Sequence, residues 1–213
     1  MPFRFPLVYP ILDASIIPNT GRSAFLQHLG ESLTQAGVTL LEYRNKTGSH
    51  AELEADLRIL RVAMPQQDVK LILDDRADLI EEFNLDGVHV DAEDVSPSEA
   101  RGLLGPDRII GTFGGSDDLV PGVLGEPVDY WSIGPVFPTT TKQTTKAPIG
   151  VEGVRHLREQ AGPNAVLVAA AGITFERAKA VLEAGANSLA VAAAIFRTPD
   201  PATEFQRWMK ALS

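Results

Sequence analysis

Eight times along this chain a short apolar run is followed by a segment with helical spacing, and this alternation restricts the fold more than any other feature. The apolar runs are Leu7–Leu12, Thr39–Tyr43, Lys70–Leu73, Gly87–Val90, Arg108–Ile110, Tyr130–Ile133, Ala165–Ala169 and Ser188–Val191. Between and after them, helices are predicted over Ser23–Ala36, Ser49–Ala63, Ala77–Phe83, Val151–Gln160, Thr174–Ala184 and Pro201–Leu212. Another opens at Ser96-Pro97, and a weak one falls between Ser116 and Leu124. Ser49, Thr174 and Asp200 stand at cap positions, Pro97 and Pro201 in first turns, and Gly37 and Gly185 past helix ends. Strands that alternate with helices pair in parallel, because parallel neighbours need a crossover between them. Eight such units closing on themselves give a single α/β domain over residues 1–213, a (β/α)8 TIM barrel with a parallel eight-stranded sheet. An open, doubly wound sheet is the competing arrangement. No linker or low-complexity tract divides the chain.

Composition then removes several classes of function. The formal charge of −9 argues against broad binding to nucleic acid or to an anionic membrane, since both need a basic face. Cysteine is absent, which rules out disulfides, thiolate metal sites and a cysteine nucleophile. No apolar run approaches the roughly 18 residues of a membrane span, and the start, MPFRFP, lacks the apolar centre of a signal peptide. A cytoplasmic protein is expected. Barrels of this kind often pair, so a homodimer is compatible with the sequence.

In a barrel of this type the chemistry sits at the C-terminal ends of the strands. Strand two ends in Glu42, Arg44, Asn45 and Lys46, with Glu42 and Arg44 on one face by the two-residue period. Asp74, Asp75 and Arg76 follow strand three, and His89, Asp91, Glu93 and Asp94 close strand four. After strand six comes a loop rich in hydroxyls and ammonium groups, with Thr139, Thr140, Thr141 and Lys142, suited to a phosphate. Gly172 precedes a helix after strand seven, and Ala192 and Ala193 end strand eight with side chains small enough for a ligand to reach backbone. Arg44, Lys46 and Lys142 suit phosphate oxygens. Asp75 and Asp94 suit Mg²⁺, which takes few carboxylates and fills its shell with water or phosphate. Each feature has a plainer reading: Asp74-Asp75 as a solvated turn, His89 as a packed histidine, the threonine loop as a solvated connection. The glycines of Gly111–Gly115 do not have dinucleotide-fingerprint spacing.

With these residues in place, the chain resembles the thiamine-phosphate synthase family from Tyr9 to Pro201. The resemblance rests on YRNK (Tyr43–Lys46), DDRADL (Asp74–Leu79), DGVHVDAED (Asp86–Asp94), GPVFPTTTK (Gly134–Lys142) and AAGITFERAKAVLEAGAN (Ala170–Asn187). It implies a transferase that joins hydroxymethylpyrimidine diphosphate to a thiazole phosphate and releases pyrophosphate. It further implies that Arg44 and Lys46 hold the diphosphate and that Asp75 and Asp94 bind Mg²⁺. Thr139, Thr141 and Lys142 would hold phosphate groups, while Gly172 and the backbone near Ala192 and Ala193 would cradle the thiazole phosphate. The chain departs from the family at four substrate-facing positions. Glu42 stands where glutamine is usual, Asp74 where asparagine is usual, and Phe113 and Ala193 near positions that usually carry serine. A relative of the thiazole tautomerase and a non-catalytic binder of a phosphorylated metabolite are the competing readings.

Overall fold

The computed structural model describes residues 3–139 and 145–213. Its centre is a closed barrel of eight parallel strands in sequence order. These are β1 (Val8–Asp13), β2 (Leu40–Arg44), β3 (Lys70–Asp74), β4 (Gly87–Val90), β5 (Ile109–Gly115), β6 (Tyr130–Ile133), β7 (Leu167–Ala170) and β8 (Ser188–Val191). Pairing of Val8, Tyr9 and Pro10 with Leu189, Ala190 and Val191 joins the last strand to the first and completes the ring.

Around it run α1 (Arg22–Gln35), α2 (His50–Ala63), α3 (Pro97–Leu104), α4 (Gly150–Ala161), α5 (Phe175–Glu183), α6 (Ala193–Phe196) and α7 (Pro201–Leu212). Local sequence accounts for most of their ends. Ser49 and Asp200 accept backbone N–H bonds from Glu52 and Thr203, and Ser96 with Glu99 forms a reciprocal cap ahead of Pro97. Thr174 occupies the cap position of α5 in an extended conformation, but its side chain makes no capping bond.

Two of the expected helices are absent as such. The segment predicted as a helix over Ala77–Phe83 is a 3-10 turn at Ala77–Leu79 followed by further turns. Its apolar residues Ala77, Leu79, Ile80 and Phe83 are nevertheless buried, so a tighter path satisfies the same burial requirement. Between Ser116 and Leu124 the chain bends and forms only a short 3-10 turn at Val123–Gly125, because Pro121 and Gly122 interrupt any longer helix. Conversely, β5 runs on to Gly115, well beyond the expected Ile110, and α6 forms where the sequence suggested only the end of a strand.

The barrel interior changes character from bottom to top. Tyr9, Leu40, Ile72, Ile109, Tyr130, Val168 and Ala190 form a packed interior cluster, with Phe3 and Phe5 against it. A larger cluster fills the space between strands and helices. Because side chains alternate across a strand, the column that carries Leu40 inward also carries Glu42 and Arg44, and the column of Ile72 carries Asp74. Apolar packing therefore passes directly into charge at the C-terminal rim.

Gly111 sits between His89 on β4 and Tyr130 on β6. A Cβ there would lie 2.0 Å from the Tyr130 ring, so the missing side chain is what lets that ring lie across the interior toward His89. Gly111→Ala is expected to destabilise the fold by about 1–3 kcal/mol. Gly102→Ala, in α3 with no atom within 4 Å of its added carbon, should be neutral or stabilising. Urea denaturation of both variants checks the contrast.

Candidate active site

Two cations at the rim, Arg44 and Lys46, are engaged in ion pairs. Arg44, at the end of β2, ion-pairs with Asp13 and places its Nε 3.2 Å from Asp74 Oδ2. Lys46 pairs with Asp75 and lies 3.4 Å from Asp74 Oδ2. Asp13 is held in turn by the Ser15 amide at 3.0 Å, which together with Arg44 keeps its carboxyl below the usual range despite partial burial. Three carboxylates thus share two cations.

Asp75 occupies a strained position. Its φ is +72°, unusual for a side chain with a Cβ, and its N–H donates to His89 O at 2.8 Å. Its Oδ1 is buried and has no hydrogen-bond partner among the described residues. Asp94 closes a turn by accepting from the Asp91 amide at 2.8 Å. Burial pushes the Asp94 carboxyl up, and the neighbouring Asp75 charge adds to the rise against the opposing Asp91 amide. Two neighbouring carboxylates, one with an unsatisfied oxygen, form a donor set suited to a hard divalent cation. Among the described residues no group of three or more acidic or histidine ligands forms, so water and phosphate oxygens would complete the shell.

Deeper in the barrel lies a buried polar network. Tyr9 Oη donates to Glu42 Oε2 at 3.3 Å, and His89 Nδ1 stands 3.0 Å from Tyr130 Oη. Burial pushes Glu42 up to about 7 from an ordinary 4.5, although nearby His89 opposes the rise. Asp74 is also raised, chiefly by burial, against His89, Lys46 and Arg44. For His89 burial acts downward, but Asp91, Glu42 and Asp74 outweigh it and raise the imidazole. The histidine is therefore both packed and part of a cavity wall.

Above this network two cavities open at the rim. One, of about 420 Å³, is bounded by Glu42, Arg44, Asp74 and His89 on one side and by Gly172, Arg177, Ala192 and Ala193 on the other. The second, of about 440 Å³, is lined by Lys46, Asp94, Phe113 and Lys146 among others. Thr139 and Ser132 line both. Phe113 thus belongs to the second cavity, where Lys146 Nζ stands 3.5 Å from its ring centre. Gly172 has φ +68°, and a Cβ there would meet Pro138 O at 2.5 Å, so only glycine admits the close approach of the neighbouring loop. Thr141 and Lys142 lie outside the described residues.

Sequence reasoning left the role of Asp13 open and assigned none to Ser132, Tyr130 and Arg177. Asp13 had a usable signal, as an acid ending a barrel strand. Tyr130 and Ser132 fall in the run Tyr130–Ile133 and Arg177 in the helix predicted over Thr174–Ala184, and none carries a signal of its own.

These features define the class: a (β/α)8 barrel with a charged, cavity-lined site built from its C-terminal strand ends. The family model described as Thiamine monophosphate synthase matches residues 8–195, and the chain belongs to that family. It is 38% identical over 203 residues to a thiamine-phosphate synthase of Koribacter versatilis, covering 95% of each chain. It is 35% identical to that of Azorhizobium caulinodans, covering all of this chain and 97% of the relative. The solved thiamine phosphate pyrophosphorylase of Pyrococcus furiosus superposes with a TM-score of 0.74 at 26% identity, covering 96% of both chains.

The raised Glu42 has a definite pH signature. Its proton is held more tightly in the folded than in the unfolded chain, so its contribution is fully present below pH 4.5 and is lost as pH rises through about 7. His89, also raised, adds a slope of the same sign. Glu42→Gln should flatten the fall in unfolding free energy across that window by roughly 2–3 kcal/mol. Urea denaturation at a series of pH values measures it, and an unchanged slope contradicts the assignment.

Proposed function

We propose that the protein is a Mg²⁺-dependent thiamine-phosphate synthase, joining hydroxymethylpyrimidine diphosphate to thiazole phosphate with release of pyrophosphate. The observation that carries this reading is the pairing of Asp75 and Asp94 beside Arg44 and Lys46, with an unsatisfied carboxylate oxygen at Asp75. A tautomerase acting on a thiazole phosphate has no use for such a clamp. Cytoplasmic location is part of the proposal; no helix among the described residues is long and apolar enough to cross a membrane.

Asp75 and Asp94 would hold the Mg²⁺, which when bound supplies positive charge to the leaving diphosphate. Arg44 and Lys46 add to that charge, and a diphosphate would compete for them with Asp13, Asp74 and Asp75. As the carbon–oxygen bond breaks, charge grows on the departing pyrophosphate, and these cations stabilise it more than they stabilise the intact substrate. The pyrimidine cation left behind is captured by the thiazole nitrogen, so no side-chain nucleophile is required. Thr139, Thr141 and Lys142 complete the phosphate contacts in this reading, and Gly172 with Ala192 and Ala193 receives the thiazole phosphate.

Glu42 and Asp74 are the main electrostatic objection, because a carboxylate about 4 Å from a phosphate oxygen costs on the order of 4 kcal/mol at an effective dielectric near 20. The raised Glu42 eases it. At neutral pH a large share of this group is protonated, and a neutral carboxyl matches the size of the glutamine usual there and, like it, both donates and accepts, though with one donor hydrogen rather than two. Asp74 stays offset by Arg44 and Lys46.

A pyrophosphate-release assay with both substrates tests the reading. The wild-type protein should turn over only with Mg²⁺ present. Asp94→Asn should raise the Mg²⁺ needed for half-maximal rate by more than about tenfold, a loss that even outer-shell partners of a metal can cause. Release that is independent of Mg²⁺, or no release at all, contradicts the proposal.

A further inference from the structure

The cavity beside Glu42 has two electrostatically different ends. The carboxylates among its described lining residues, Glu42 and Asp74, stand on one side together with His89 and Arg44. The opposite wall is made of Gly172, Ile173, Thr174 and the alanines of the β8–α6 junction, and its charged group is Arg177. Arg44 and Lys46 are paired to carboxylates, whereas Arg177 makes no ion pair among the described residues. Its guanidinium lies 4.5 Å from the centre of the Phe137 ring. That stacking holds the flat group in place while leaving its edge N–H donors directed away from the ring.

Two features aim this cation at the cavity. Arg177 lies in the first turn of α5, its N–H bonded to Thr174 O at 3.1 Å, and helical side chains lean back over the preceding turn, here the one that starts at Gly172. Phe137 is seated against that same turn: a Cβ on Gly172 would meet Phe137 O at 2.6 Å. The stack is therefore fixed relative to the wall that Arg177 borders.

We infer that Arg177 is a specificity residue for the acceptor substrate, recognising its dianionic monophosphate and rejecting the neutral, dephosphorylated alcohol. This rests on the synthase reading of the site. A guanidinium matches two phosphate oxygens at once, and a cation without a carboxylate partner gives up no ion pair to do so. The same contact orients the acceptor, with its phosphate at Arg177 and its ring toward Glu42 and His89.

The test is calorimetric binding of the thiazole phosphate and of its alcohol to wild-type protein, Arg177→Gln and Arg177→Lys, alongside pyrophosphate release. Arg177 is exposed, so the variants should fold, and retained thermal unfolding confirms it. Arg177→Gln should weaken phosphate binding by about ten- to a hundredfold, as expected for a lost charged hydrogen-bonding partner. It should leave alcohol binding and the KM for the pyrimidine diphosphate unchanged. Arg177→Lys should recover part of the loss, since it keeps the charge but not the planar fork. Equal phosphate affinity in wild type and Arg177→Gln overturns the inference. So does an equal loss for phosphate and alcohol, or failure of the wild-type protein to bind the phosphate. If wild type releases no pyrophosphate but Arg177→Gln still loses phosphate affinity selectively, the synthase reading fails and the role of Arg177 stands.

Discussion

Closure of the sheet through β8 and β1 is the constraint from which the site follows. A closed parallel barrel has no free edge, and each strand must send alternate side chains into a narrow interior that is filled rather than hollow. Leu40, Ile72, Ile109 and Val168 fill its lower part. On β2 and β3 the next inward residues are Glu42 and Asp74, with Arg44 above Glu42 and His89 of β4 lining the same cavity. Rigid packing below fixes their positions, with Arg44 Nε 3.2 Å from Asp74 Oδ2, Glu42 bonded to Tyr9 and His89 bonded to Tyr130.

The charge pattern on that rim is acidic, with three carboxylates sharing two cations. Asp13, Asp74 and Asp75 draw on Arg44 and Lys46, so any anion bound there under the proposed reading would displace existing ion pairs or arrive with a cation. Burial offers a second way out, because it favours neutral forms. Glu42, raised by its surroundings, acts near neutral pH partly as a hydrogen-bonding neutral group. The Tyr9 and Tyr130 hydroxyls extend that behaviour, linking Glu42 and His89 to the packed interior cluster to which both tyrosines belong. Loss of the space that Gly111 provides would disturb this linkage before it disturbed the rim.

Most of the architecture was legible because each strand and most helices carry their own local evidence. The runs Gly87–Val90, Tyr130–Ile133 and Ser188–Val191 coincide with the strands β4, β6 and β8, and Ser49, Pro97 and Asp200 mark real helix starts. The apolar spacing of 77–83 could not distinguish a helix from a tight turn, since both bury Leu79, Ile80 and Phe83 equally well. Strand ends also pointed to Glu42, Arg44, Lys46, Asp74, His89 and Asp94, which line the cavities, because the barrel rule ties position in the strand to position at the rim.

What the sequence determined alone was the order of strands and helices, the two-residue columns that lift Glu42, Arg44 and Asp74 to the rim, and the absence of thiol chemistry. These depend on local spacing and composition. Tertiary structure decided which cation meets which carboxylate and that Asp13 shares Arg44 with Asp74. It also decided that Glu42 is buried deeply enough to hold a proton, and that Arg177 rests on Phe137 at the cavity wall. Each of these joins residues from separate strands or loops, and both burial and Coulomb energy depend on distances in space that no local pattern encodes.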